Sequence, residues 1–456
     1  MGKRLIVVGG VAAGTSAASR ARRTDPDLEI ILFENEQFVS YGACDEPYFI
    51  SGVVPSYENL LVRRPEVFRK KQNIDIRLNH EVTAIDADKK SVTVLNKESG
   101  QTETYDYDAL ILATGARPRM VDLPDADAPN VFQIKSLDSA VALDAFLREH
   151  QPKKAVTLGA GFIALEMAEA LHARGVDVTI LHRSDKPGSI FAREIADVIG
   201  QELADQGVTY IPNTLPTRFV LDDNGLVTAV ETDNGTYEAD LVIAALGVWP
   251  NVEIGTAAGV KTGSSGAFAV DNHMRTNVAD IYAAGDCTES INRVSGLPHL
   301  YPLGDIANKH GWTAGENAAG GDITYDGALG SLHMKCFDLE IGTTGIDERE
   351  AEKAGFEPFV NVITHRSRAH AQPASQPITV RLVSDRKTRR LLGAQIVGKE
   401  GAALRTNVLA VAVHAGLTVD ELNAVDMAYA PPFSPVIDPT LMAARDAMKR
   451  LDKLKD

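Results

Sequence analysis

The sequence predicts an α/β chain with two Rossmann-like units and a C-terminal α+β domain. Three observations predict it. An apolar strand, a glycine loop and a helix follow one another twice, at "IVVGGVAAG" and "VTLGAGFIA". The chain has 456 residues, more than one hydrophobic core fills, so two or three domains are expected. From about residue 330 the pattern changes to mixed strands and helices, as in "FVNVITH", "ITVRLVSD" and "LLGAQIVG".

In the first unit, Leu5 to Val8 form a continuous apolar run, as in a parallel strand buried on both faces. The loop is Gly9-Gly10-Val11-Ala12-Ala13-Gly14, and Ala17 and Ala18 sit where the helix must press on the sheet. "LEIILFE" is the second strand and ends at Glu34, twenty residues after Gly14. Glycines let a backbone approach a pyrophosphate, a helix N-terminus favours its charge, and a terminal acid holds ribose hydroxyls. The first unit therefore reads as an FAD site.

The second unit carries Gly159 and Gly161, with Ala164 at the third glycine position. Its second strand, "DVTIL", ends at His182 and Arg183 instead of an acid. A basic pair there suits a 2′-phosphate, so the reading leans to NADPH over NADH. "YDALILATGARPR" is an apolar strand closed by Ala113-Thr114-Gly115, where the chain crosses to the second unit. "TNVADIYAAGDCTES" gives a strand, then Gly285 and Asp286 at an expected helix N-terminus. Asp286 is placed for a ribityl hydroxyl or as a helix cap.

Bulk composition narrows the partners. A net charge of -16 argues against nucleic acid or an anionic membrane. Three cysteines make no disulfide scaffold and suggest a reducing, cytoplasmic setting. The first apolar run is too short for a secretory signal, "MGKRLI" lacks a myristoylation hydroxyl, and no run approaches a membrane span. No metal-ligand spacing stands out. The end, "LDKLKD", gives no sign of a fused rhodanese-like domain.

Cys44 lies in "SYGACDEPYFISG" with no cysteine at any nearby spacing. The stretch "CDEPYFIS" is expected to begin a helix at Cys44, with Pro47 in its first turn. That N-terminus would hold the thiol pKa below its usual 8.5 or so, although Asp45 and Glu46 oppose it. Cys287 and Cys336 read as packed core.

The motifs "VVGGVAAG", "ATGARP", "GAGFIALEMAEAL", "ALGVWPN" and "IYAAGDC" together resemble the FAD-dependent pyridine nucleotide-disulfide oxidoreductases. "SYGACDEPYFISG" resembles that family's single-cysteine branch, as do "KCFDLEIGTTG" and "AYAPPFSP". The branch holds coenzyme A-disulfide reductases, persulfide or polysulfide reductases, and NADH oxidases and peroxidases. The first loop lacks the histidine of the oxidases and peroxidases, and resembles the coenzyme A-disulfide reductases.

The resemblance implies a split FAD domain (1–120 and 250–325), an NAD(P) domain (121–249), a dimerisation domain (330–456) and a homodimer. It implies that Cys44 cycles through a mixed disulfide with a small thiol, or a sulfenic acid. Tyr429 matches the tyrosine that the dimer partner brings to the site, whereas "AHAQPASQP" lacks the branch's second tyrosine. Val82, Glu166 and Gly247 join the expected cofactor contacts. Arg20, Arg23, Ser40 and Lys71 fall where coenzyme A is held, within the basic clusters Arg20, Arg22, Arg23 and Arg69, Lys70, Lys71. The expected activity is NAD(P)H-dependent reduction of coenzyme A disulfide, persulfide or polysulfide. An NADH oxidase or peroxidase, or a reductase passing electrons to a protein, stays open as the alternative.

Overall fold

Apolar runs without alternation become parallel strands in two five-stranded sheets. The first has the order Ile281–Ala283, Ala109–Leu112, Arg4–Val8, Glu29–Phe33, Ile74–Arg77, all parallel. The second has the order Thr209–Ile211, Asp177–Leu181, Lys154–Leu158, Leu241–Ala244, Val131–Phe132, again parallel. Helices Ala12–Thr24 and Phe162–Ala173 follow their glycine loops as the sequence predicts. Residues 2–119 and 121–454 are described in this computed structural model.

The first sheet draws strands from both sides of the second unit, because Ile281–Ala283 returns to pair with Ala109–Leu112. A two-stranded ribbon, Ala116–Pro118 with Val248–Pro250, carries both crossings. Behind the first sheet, helix Gly304–Ala318 lies against helix Ala12–Thr24. A Cβ on Gly311 would come within 2.1 Å of the Ala13 carbonyl oxygen, and one on Gly315 within 2.2 Å of that of Ala17. The small residues of the first helix therefore serve a helix contact as well as the sheet.

The C-terminal domain is a five-stranded antiparallel sheet in the order Leu332–Cys336, Leu339–Gly345, Leu391–Gly398, Pro377–Asp385, Pro358–Arg366. Helix Ala402–Ala415 buries Leu409, Ala412 and Val413 in this domain's core. The same helix leaves Leu404 75% and Val411 68% exposed. Among the described residues no helix is long and apolar enough to cross a membrane, and no cluster fit to hold a metal ion is present.

Two local expectations are corrected. Cys44 does not begin an α-helix. It lies in a 3-10 turn, Ala43–Asp45, and the helix runs from Glu46 to Ser51. Pro47 has no N–H and needs a first-turn position, which the start at Glu46 provides. Gly285 and Asp286 do not open a helix either. They form a turn closed by Thr288 N–H to the Gly285 carbonyl at 3.0 Å. Phe268 then bonds the backbone on both sides, donating to Cys287 O at 2.8 Å and accepting from Glu289 N at 3.0 Å. That bridge stops helical hydrogen bonding from propagating.

Candidate active site

The first glycine loop is held from two sides. Gly9 has φ +102, and a Cβ there would lie 2.1 Å from the Ala113 carbonyl oxygen. Gly14 leaves no room either, with the Gly9 oxygen 1.8 Å from a built Cβ. Glu34 is buried and accepts from Gly10 N at 2.6 Å and Glu36 N at 3.1 Å. Burial pushes its carboxyl up to about 7, against the lowering effect of those backbone donors. The helix that follows has no side-chain cap at Val11 and no acid in its first turn. Such an end leaves its amides free for an anion, so these residues fit the pyrophosphate and ribose of FAD. Ala13 is buried within this loop, and Val82 is buried in the strand His80–Asp86, paired with Val94. Thr114 donates to Asn251 O at 2.5 Å, Asn251 donates back to Thr114 O at 2.8 Å, and its N–H reaches Gly115 O at 2.9 Å. The two crossings are thereby locked together.

The second loop repeats the plan. Gly159 has φ +100 beside the Ala245 carbonyl, and Gly161 precedes a helix with no side-chain cap and no first-turn acid. Ala164 is fully buried, where a small side chain keeps helix and strand close. Gly247 has φ +98 and its carbonyl accepts from Arg119 N at 2.9 Å. The expected basic pair becomes a single cation. His182 is buried, and burial with the Arg183 charge holds its imidazole below the ordinary value. Arg183 is exposed, and Asp185 pairs with Arg193.

Cys44 is exposed, whereas Cys287 and Cys336 are fully buried. Its loop is tied at Ser40, whose N–H bonds Gly10 O at 2.9 Å and whose carbonyl accepts from Val62 N at 2.8 Å. Ser40 takes φ +52, a left-handed conformation that non-glycine residues adopt rarely. Gly42 N–H bonds Leu60 O at 2.9 Å.

The expected depression of the Cys44 thiol is not found. Loss of solvent around the sulfur pushes it up, with further upward effects from Glu166, Asp45 and Glu46. Lys135 pulls it down. The helix starts two residues after Cys44, and Glu166 arrives from the second unit. Glu166 is itself pushed up to about 7 by burial and by Glu169.

Lys135 escaped the sequence reading. Its Nζ lies 2.9 Å from Asp286 Oδ2, so Asp286 faces a cation across the joint between the units. His310 escaped it too. Gly285 N–H donates to its Nδ1 at 3.3 Å, and its Nε2 lies 2.8 Å from Ser290 Oγ. That histidine props the Gly285–Asp286 turn from behind. No motif marks either residue, because each acts through a partner distant in sequence.

The basic clusters are partly engaged. Arg22 spends its guanidinium on the carbonyls of Gln72, Pro26, Leu28 and Asn73. Arg20 pairs with Glu316 and stacks 4.1 Å over the Trp312 ring. Arg69 bonds the Ile76 carbonyl, while Arg23, Lys70 and Lys71 stand exposed. Arg23 lies 5.2 Å over the same Trp312 ring, and neither it nor Lys71 has an ion pair among the described residues. Tyr429 is 47% exposed in the C-terminal domain, and within the chain no hydrogen bond joins it to Cys44.

The family model described as pyridine nucleotide-disulphide oxidoreductase matches residues 3–311, and that of its dimerisation domain matches residues 333–440. A Pyrococcus furiosus protein named NAD(P)H sulfur oxidoreductase (CoA-dependent) is 38% identical over 445 residues, covering 97% of this chain and 98% of that protein. A coenzyme A disulfide reductase of Staphylococcus haemolyticus is 35% identical, covering 95% of this chain and 96% of its own. The solved structure of an NAD-dependent persulfide reductase from A. fulgidus matches with TM-score 0.95 at 37% identity, over 99% of this chain and 84% of that one. The chain therefore belongs to the pyridine nucleotide-disulphide oxidoreductase family, whose enzymes use FAD and NAD(P)H.

Proposed function

We propose that the protein reduces coenzyme A disulfide or coenzyme A persulfide, with NADPH as donor and Cys44 as the single redox sulfur. One observation carries the reading. Cys44 is exposed while the other two cysteines are fully buried, so no internal disulfide partner is at hand. The names of the relatives from Pyrococcus and Staphylococcus support the substrate class.

In the resting enzyme Cys44 is joined to the coenzyme A sulfur. Two electrons break that S–S bond and give a Cys44 thiolate and a coenzyme A thiolate, which takes a proton and leaves. The Cys44 thiolate attacks one sulfur of the substrate disulfide. A new mixed disulfide forms, the old S–S bond breaks, and the expelled thiolate is protonated. Bound FAD supplies the two-electron relay between NADPH and sulfur. Gly9, Gly10, Ala13, Gly14, Glu34, Val82 and the Ala113-Thr114-Gly115 turn would hold it, and Asp286 would accept a hydrogen bond from one of its hydroxyls.

Gly159, Gly161, Glu166 and Gly247 line the NADPH path, and exposed Arg183 takes the 2′-phosphate. Arg23, Lys71 and Ser40 bind coenzyme A, joined by Arg20 through its stack on Trp312. Tyr429 of the partner subunit hydrogen-bonds the leaving thiol. The exposed stripe Leu404, Val408 and Val411 supports a homodimer with the domain limits given above. Three unpaired cysteines support a cytoplasmic setting.

Steady-state rates with coenzyme A disulfide, coenzyme A persulfide and oxygen test the reading. Turnover with a coenzyme A substrate is expected, and fast four-electron oxidation by oxygen in its place would sink it.

A further inference from the structure

Trp312 stands on helix Gly304–Ala318 with 44% of its surface exposed. The guanidinium of Arg20 lies over its ring, 4.1 Å from the centroid, and that of Arg23 lies 5.2 Å from it. Arg20 gives its Nε to Glu316, whose carboxylate also accepts from Thr24 Oγ1 at 2.5 Å. Arg23 has no ion pair among the described residues.

Helix packing builds this group. Gly311 and Gly315 let the helix ride directly over the Ala13 and Ala17 carbonyls of Ala12–Thr24. Side chains flanking that contact therefore meet across the seam. Ser16, Arg20 and Arg23 are spaced by four and three residues, and share one face of their helix. Asn308, Trp312 and Glu316 are spaced by four on the other helix. Ser16 Oγ donates to Asn308 Oδ1 at 2.5 Å, and the arginines meet Trp312 one turn further on.

We propose that Trp312 is the stacking platform for the adenine of coenzyme A, with Arg23 beside it for the 3′-phosphate. The proposal deepens the reading of coenzyme A as substrate and rests on it. An indole face takes a planar base in any orientation, and a guanidinium fork takes a phosphate through two parallel hydrogen bonds. Arg20 is fixed on the ring by its stack and by Glu316, so it holds the indole in place. The span is suitable. Ser40, four residues before Cys44, bonds Gly10 O at 2.9 Å, where the first helix is about to begin. Arg20 and Arg23 lie eight and eleven residues beyond Ala12, roughly 12–17 Å along the helix axis. The pantetheine arm and diphosphate of coenzyme A bridge such a length. Trp312 thus acts on binding alone, and selects coenzyme A disulfides over small disulfides.

The test is calorimetry on the FAD-loaded Cys44→Ser enzyme, which forms no mixed disulfide and so leaves the site open. Pantetheine, phosphopantetheine, dephospho-coenzyme A and coenzyme A add in turn a phosphate, the adenylate and the 3′-phosphate. Affinity is expected to rise about tenfold at the adenylate step. Trp312→Leu is expected to abolish that gain and Trp312→Phe to keep most of it. Arg23→Ala is expected to lose the gain at the 3′-phosphate step. An undiminished adenylate gain in Trp312→Leu would overturn the proposal. Equal losses for phosphopantetheine and coenzyme A would overturn it too, because Trp312 would then only support the arginines.

Fluorescence reads the contact directly. The chain has two tryptophans, so adding Trp249→Phe leaves Trp312 as the single indole. Coenzyme A is expected to quench its emission saturably, and pantetheine to leave it unchanged. Unchanged emission at saturating coenzyme A contradicts the stack. Turnover of coenzyme A disulfide by the unaltered chain is measured separately. If it persists while the adenylate step is missing, only the role of Trp312 falls; if it is absent, the substrate reading falls as well.

Discussion

Lys135 Nζ stands 2.9 Å from Asp286 Oδ2, and this contact joins the approach to the second Rossmann unit with the turn that closes the first sheet. The two residues are 151 apart in sequence. Both side chains are less than a third exposed, so the pair is poorly screened by solvent. Removing the cation leaves Asp286 without its Lys135 partner and raises the burden on Cys44, which Lys135 relieves. Lys135→Met is expected to weaken flavin retention about tenfold, roughly 1–2 kcal/mol, and to slow Cys44 alkylation at neutral pH. Flavin absorbance after dialysis and the alkylation rate measure the two effects. Unchanged flavin content would show that Lys135 has no part in holding the flavin.

Cys44 can be separated from the nicotinamide half of the reaction. Cys44→Ser is expected to lose disulfide turnover by at least about a thousandfold, since a hydroxyl cannot form the mixed disulfide. NADPH oxidation with ferricyanide should continue at a similar rate. Full disulfide turnover in this variant would point to an electron-transfer role in which Cys44 is structural.

His310 gives the fold an acid limit. It is buried beside Gly285 and Ser290, and burial pushes its imidazole down to about 4. Its folded pKa lies below the unfolded one, so its contribution is complete above about pH 6.5 and is lost as pH falls toward about 4. The full loss is about 3 kcal/mol. The buried acids Glu34, Glu46 and Glu166 act in the opposite sense, because raised carboxyls favour the folded state less as pH rises through their window. The difference between wild type and His310→Gln isolates the histidine. The gap between their melting temperatures should change between about pH 4 and about pH 6.5, and parallel curves across that range would contradict the assignment.

Arg183 tests the donor preference. It is exposed at the end of Asp177–Leu181 and has no ion pair among the described residues. Arg183→Ala is expected to raise KM for NADPH about tenfold, with little change for NADH. Equal effects on both would assign Arg183 to general electrostatics instead of the 2′-phosphate.

The parts legible in the sequence are those carried by local pattern. Both glycine loops were readable because strand, turn and helix stand side by side, and the runs Leu5–Val8 and Ala155–Leu158 are buried within their strands. Cys44 was readable because it lacks a neighbour. Its electrostatics were not, since Glu166 and Lys135 arrive from distant segments and the helix starts at Glu46. Asp45 and Glu46 look alike in sequence, and only packing of the short helix separates an exposed acid from a buried one. The Gly285 turn resembled a helix start until the bridge to Phe268 intervened.

Mass spectrometry of the purified protein under non-reducing conditions decides whether Cys44 carries a small thiol. An added mass of one coenzyme A is expected, removed by reductant and mapped to the peptide that contains Cys44. An unmodified Cys44 thiol after exposure to air would contradict it.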